Sequence, residues 1–290
     1  MYDATATDRP VLVGVEEGGD QQTIVRHAAR QAELHGRPLR LLHVAEAADA
    51  QARHATATAL GAGVVEPLTA MVRLDFPQVP VTAEVVPGRP AAALVERSSQ
   101  AALLVLGHRG SGGFARLPLG SVSWQVATHA ECPVLVVRPG ETSAAPENRI
   151  VVGVDISEVS EEALDLAFAE ADLRGARLEL LHANFHLGEM PTGPGMVAPD
   201  FKALDDAARR RLKALAAERG ARYPRVSVDV RVERVRPATI LAEASRRAAL
   251  LVVGSHGRTG LRRLMLGSVS AAALHTAASP VAVVPTTDSD

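Results

Sequence analysis

Little in this chain is reactive or aromatic. Its 290 residues include one cysteine, Cys132, so no disulfide can form within the chain, which suits a reducing compartment. Cys132 precedes Pro133 at an expected strand start and reads as a small buried side chain rather than a nucleophile. Aromatic residues make up 3% of the chain against 47% hydrophobic, so the core has to be built from Val, Leu, Ala and Ile, as in packed α/β layers. Charge of one sign is also lacking. A formal charge of −2 and a pI near 6.6 supply no electrostatic footprint for nucleic acid or an anionic membrane. The local run Arg209, Arg210, Arg211 shares a helical pattern with Asp205 and Asp206 and reads as a solvated helix face. No run of about 18 apolar residues occurs and no basic stretch with a hydrophobic follow-on opens the chain, so a cytoplasmic protein is expected.

What is present occurs twice. The stretches beginning at Gly107 and Gly254 both read G-x2-G-x9-G-S-V-S, carrying Gly107, Gly110, Gly120, Ser121, Val122 and Ser123 in one copy and Gly254, Gly257, Gly267, Ser268, Val269 and Ser270 in the other. Each follows a continuous apolar run, 102–106 or 250–253, of the kind buried on both faces of a parallel sheet. Glycine lets a ligand approach the backbone, and Gly-Ser opens a helical segment. The object predicted is strand, glycine loop, helix N-terminus, whose unpaired amides suit phosphate oxygens, with the serine hydroxyls as further donors. The alternative is a glycine-rich connection that merely lets helix and strand pack closely. Arg116, Arg262 and Arg263 lie inside these loops and read as phosphate contacts or as solvated surface arginines.

Around the cradles the chain alternates strand and helix. The first half predicts strands over 10–15, 39–44, 79–86, 102–106 and 133–137, with helices over 21–35, 64–74, 91–99 and up to 129. Residues 45–63 are expected to form a loop leading into the second helix. His43 is expected to be a hydrogen-bonded core histidine, because no second ligand sits at metal spacing. After a linker rich in Pro, Gly and Ser the pattern restarts, giving units over 1–139 and 149–290 with a linker over 140–148. The second half predicts strands over 150–155, 178–183, 226–232, 250–253 and 280–284 with helices over 201–219 and 237–247. His182 repeats His43. Residues 185–199, with several Gly and Pro, are expected as a loop near the end of strand two, either a lid or an uninvolved surface excursion. The alternation implies right-handed crossovers and an α/β doubly wound parallel sheet.

The opening I-V-V-G-V-D at 150–155, the strand-two L-H pairs and the repeated cradles make the chain resemble a tandem member of the universal stress protein family. That resemblance covers both halves. It implies two tandem flavodoxin-like, Rossmann-like domains, each a five-stranded parallel sheet of order 3-2-1-4-5 with helices on both faces, and a site for ATP, with or without Mg²⁺, where strand order reverses. It further implies nucleotide contacts in the second half at Gly153, Asp155, Ala183, Gly254, Gly257, Gly267, Ser268, Val269 and Ser270. The matching first-half residues are Gly14, Glu16, Val44, Gly107, Gly110, Gly120, Ser121, Val122 and Ser123. Glu16 stands where the family's nucleotide binders carry Asp, and its extra methylene displaces the carboxylate by about a bond length, which puts the first site in question. Val235 stands where Gly88 stands in the first half.

No G-x4-G-K-[ST] loop or acid pair for a metal is present, so no catalytic or metal-binding residues are assigned and slow ATP hydrolysis is the most that is expected. The function implied is a nucleotide-dependent stress-response regulator whose partner is ATP or a related adenine nucleotide, without nucleic acid or membrane. The competing reading is an interaction scaffold that pairs through its strand-five edges, 134–137 and 281–284, within the chain or in a homodimer.

Overall fold

The computed structural model describes residues 9–45, 55–109, 119–138, 148–184, 200–255 and 265–286. The first half runs β1 (Val11–Val15), α1 (Gln21–Leu34), β2 (Leu39–Ala45), α2 (Ala55–Asp75), β3 (Val81–Pro87), α3 (Pro90–Ser98), β4 (Leu103–Gly107), α4 (Ser121–His129) and β5 (Val134–Val137). The second runs β6 (Arg149–Gly153), α5 (Glu161–Arg174), β7 (Arg177–Ala183), α6 (Phe201–Gly220), β8 (Val228–Glu233), α7 (Pro237–Ser245), β9 (Leu250–Gly254), α8 (Ser268–Thr276) and β10 (Val281–Val284).

All ten strands form one sheet in the order β3-β2-β1-β4-β5-β10-β9-β6-β7-β8. Pairing is parallel within each half, so each half has the order 3-2-1-4-5. The central strands are Val- and Leu-rich and buried on both faces because helices cover both sides. One core layer is filled by α1, α2, α5 and α6, with Ile24, Leu68, Leu164 and Leu212 among its members. The opposite layer is filled by α3, α4, α7 and α8, with Leu94, Val126, Ile240 and Leu274. Cys132 lies in this second layer, where burial pushes its thiol up to about 12 and removes it as a nucleophile at neutral pH.

Local signals set the helix ends. Asp20 accepts from the Thr23 amide at 3.1 Å to start α1, Ser160 accepts from the Ala163 amide at 3.3 Å to start α5, and Gly175 ends α5 in the left-handed region at φ 57°. One expectation fails. Helix α2 begins at Ala55 rather than near Val64, so 55–63 are helix where a loop was expected. Gly61, inside the stretch expected as a loop, allows close approach of the helix to the sheet, since a Cβ there would collide with Val85 Cγ1 and sit 2.9 Å from His43 Cδ2. Tertiary packing overrides the poor local propensity of Gly61, Gly63 and Pro67.

The two halves meet where β5 and β10 pair antiparallel, with Leu135 opposite Ala282, Val134 opposite Val283 and Val136 opposite Val281. Leu135 and Ala282 occupy equivalent places in their halves, so a pseudo-twofold axis passes between them. Helices close the seam on both faces. On one, His35 at the end of α1 meets Glu170 of α5 at 2.6 Å, and Arg174 donates to the other oxygen of Glu170 from Nε at 2.9 Å and from its terminal nitrogen at 2.6 Å. On the other, Trp124 of α4 stacks on His275 of α8 at 5.7 Å, and Arg138 donates to the Leu274 carbonyl at 2.7 Å.

Candidate functional site

Strand order reverses between β9, β6 and β7 in the second half, which opens a crevice at the carboxyl ends of these strands. A cleft of about 460 Å³ lies there, within the range of small-molecule sites. Gly153, Asp155, Ala183, Gly254, Gly267, Ser268, Val269 and Ser270 line it together. Its apolar wall is supplied by Leu181, Val253, Ile240 and Leu241. Gly153 is needed for that wall, because a Cβ on it would meet Leu241 Cδ2 at 3.1 Å.

The helix-terminus part is built by a short register of hydrogen bonds. Ser255 donates its amide to the Val284 carbonyl at 2.7 Å and accepts from the Gly267 amide at 2.9 Å, which brings the start of α8 beside the end of β9. The Ala271 amide bonds the Gly267 carbonyl at 2.8 Å and begins the helical ladder. The amides of Ser268, Val269 and Ser270 then have no acceptor among the described residues, and they are the donors a helix start leaves over. Gly267 itself contributes no amide, since its N–H is already used. Ser270 likewise does not spend its hydroxyl on a ligand: it is buried and donates to the Gly254 carbonyl at 2.5 Å. The cradle is therefore main-chain, with the exposed Ser268 hydroxyl beside it.

The opposite wall follows from β6 and β7. His182 is buried, and its Nδ1 donates to the Val154 carbonyl at 2.8 Å, tying the two strand ends together. His43 does the same for Val15 at 3.0 Å, so both histidines are hydrogen-bonded core residues, as expected. Asp155 Oδ1 accepts from the Ser157 amide at 3.0 Å and from its hydroxyl at 2.5 Å, a turn that holds the carboxylate at the cleft. Ser157, Glu158, Ser160 and Asn184 line the cleft as well and were not anticipated. The serine two residues after Asp155 was the one local signal available; Asn184 gave none.

In the first half, Gly14, Glu16, Val44, Gly107, Gly120, Ser121, Val122 and Ser123 occupy the corresponding strand ends and helix start. Gly120 gives its amide to the His108 carbonyl at 2.8 Å, and the Ser123 hydroxyl goes to the Gly107 carbonyl at 2.6 Å. The surroundings differ. A Cβ on Gly14 would be 2.6 Å from Leu106 Cδ2, and one on Gly107 2.5 Å from Ile24 Cδ1, so these glycines admit core side chains. With Gly14 aligned on Gly153, the turn 16–20 is one residue shorter than 155–160, and the Glu16 amide faces Gln21 Oε1 at 3.4 Å. Gly110, Gly257, Arg116, Arg262, Arg263 and the 185–199 stretch lie outside the described residues.

A doubly wound parallel sheet with a helix start at the point where strand order reverses defines a class of α/β proteins that carry their crevice at the carboxyl ends of the strands. Within that class the chain belongs to the universal stress protein family, whose model matches residues 8–138 and 147–285. It is 36% identical over 303 residues to a universal stress protein of Mycolicibacterium smegmatis, covering 97% of this chain and 98% of that one. A universal stress protein of Mycobacterium tuberculosis is 35% identical over 293 residues, covering 94% and 95% of the two chains. A solved universal stress protein from Archaeoglobus fulgidus has the same fold, with a TM-score of 0.71 at 17% identity, covering 98% of this chain and 99% of that one. Among the described residues no helix is long and apolar enough to cross a membrane.

Proposed function

We propose that the chain is a nucleotide-dependent stress-response regulator that holds ATP or a related adenine nucleotide in the second-half cleft with little or no turnover. One observation carries this reading: three leftover amides at the start of α8 line the same cleft as Gly153, Asp155 and Ala183. A helix start concentrates partial positive charge and suits phosphate oxygens. Ile240, Leu241 and Val253 offer apolar contact for a base or sugar, and Asp155, with Oδ1 committed to Ser157, has Oδ2 to accept from sugar hydroxyls. The division into units 1–139 and 149–290 about a linker at 140–148 belongs to the same proposal.

The test is a calorimetric titration of nucleotide-free protein with ATP, paired with assay of any nucleotide released on denaturing freshly purified protein. One site per chain is the expected stoichiometry. Absence of both binding heat and released nucleotide refutes the proposal and leaves the second reading, an interaction scaffold in which the glycines serve packing. That reading draws on the side chains crowding Gly14 and Gly107.

A further inference from the structure

Joining β5 to β10 leaves β3 and β8 as the two outer strands of the sheet, with no strand beside their outer sides among the described residues. On β8 the flanking bonds fix the direction of each backbone group. The Leu178 amide donates to the Ser227 carbonyl at 2.9 Å and the Asn184 amide to the Glu233 carbonyl at 2.8 Å, so Ser227, Asp229, Arg231 and Glu233 turn their backbone groups toward β7. Val228, Val230 and Val232, alternating with them, present their N–H and C=O groups outward. Such a row is a template for a further strand, and neither Pro nor Lys, residues that blunt an edge, occurs in it.

The side chains divide by the same alternation. Val228, Val230 and Val232 face the core layer that α6 helps to fill. Asp229, Arg231 and Glu233 face the other side. There Asp229 is exposed, and Arg231, with 34% of its side chain exposed, is held along the strand by Glu179 at 3.8 Å, Glu233 at 3.2 Å and Glu243 at 3.6 Å. When a second β8 runs antiparallel with the two Val230 residues opposite each other, the sequence decides every facing pair. Val228 meets Val232, Ser227 meets Glu233, and Asp229 meets Arg231, each pair occurring twice about the axis. No like charges are opposed. The valines fall at positions that exchange two hydrogen bonds, and Asp229 and Arg231 fall at non-hydrogen-bonded positions, where opposite Cα atoms are about 4.5 Å apart and side chains are closest.

We infer that β8 is a self-association edge: two copies of the chain join β8 to β8 about a twofold axis at Val230, which continues the ten-stranded sheet of one copy into that of the other. The opposite edge lacks this match. Centred on Ala83, β3 sets Thr82 against Glu84, and its outward-facing position 87 is Pro, which has no N–H to give. The contact uses neither cradle and stands apart from the nucleotide reading.

Sedimentation of the full chain from about 1 μM to about 0.5 mM, the range of small reversible interfaces, reads the mass. The wild type is expected to move from 30.4 kDa toward twice that mass as concentration rises. Val230→Pro removes an outward N–H and no bond to β7, so the folded variant, checked by its melting curve, is expected to stay at the single-chain mass. Asp229→Arg, on an exposed side chain, sets Arg against Arg twice and is expected to raise the dimer dissociation constant by about tenfold or more, which decides the matter if Val230→Pro fails to fold. Ala83→Pro, at an outward position of β3, is expected to leave the dimer intact. A wild type that stays at 30.4 kDa throughout overturns the inference, as does a dimer that is unchanged in folded Val230→Pro or Asp229→Arg, or one that is lost in folded Ala83→Pro.

Discussion

Ser270 shows how little of a side chain's apparent role can be read from its type. Its hydroxyl is a plausible phosphate donor in the sequence, yet it closes the end of β9 by bonding the Gly254 carbonyl, while its amide remains at the helix start. Ser270→Ala therefore leaves that carbonyl without its partner and is expected to cost about 1–2 kcal/mol of stability, measured as a shift in urea midpoint at constant slope. Ser268→Ala, on the exposed neighbour, is expected to change stability by less than about 0.5 kcal/mol. Equal losses in the two variants would contradict the assignment of the Ser270 hydroxyl to the strand end.

Two elements carry the next scale, α8 and α2. Ser268 is the first residue of α8, and Gly267 before it is extended at φ −58° and ψ 146°, a conformation that accepts a following proline. Ser268→Pro thus removes one cradle amide without disturbing the helical ladder. The expected result is a roughly tenfold loss of ATP affinity with an unchanged or higher melting temperature, since a hydrogen bond to a charged group is worth about 1.5–3 kcal/mol. In α2 the same substitution has opposite signs at two glycines. Gly61→Ala drives a Cβ into Val85 and is expected to destabilise by about 1–3 kcal/mol, whereas Gly63 has open space around its Cβ position and Gly63→Ala is expected to stabilise by about 0.5–1 kcal/mol. Thermal melts of the two variants check both. Most strand and helix positions were legible from apolar runs and capping residues, because those signals act within a few residues. The start of α2 was not, because what holds Gly61 in a helix is contact with β2 and β3.

For the whole molecule the decisive feature is the seam. Glu170 is 2% exposed; burial opposes its charge, but the hydrogen bond from His35 and the charge and hydrogen bonds of Arg174 outweigh burial and hold its carboxyl below the usual range. His27, on the same face of α1 one turn from Gln31 and two from His35, is shifted down by burial first and by the positive charges of Arg30 and Arg174 after it. The folded chain therefore binds a proton at His27 less readily than the unfolded chain, so this contribution is complete above the ordinary value of 6.5 and is lost as pH falls below it. Glu170 acts in the same direction at lower pH, below its ordinary 4.5. Between about pH 7.5 and about pH 5.5 the urea midpoint is expected to fall, and His27→Gln is expected to flatten that fall. A variant that loses as much as the wild type over the same interval would remove His27 as the cause.

The sequence by itself determined the alternation of strands and helices, the repeat, the two cradles and the acid at the end of β6, since each is a pattern of neighbouring residues that biases its own backbone. Tertiary structure decided which amides are left to bind, how far the two halves differ, and how they join. Gly267 loses its amide to Ser255, the turn after β1 is one residue shorter than its counterpart, Asn184 bonds Asp205 21 positions further along, and His35 finds Glu170 at a separation of 135. Hydrogen-bond partners and packing neighbours that far apart are chosen by the closed sheet, and no local propensity encodes them.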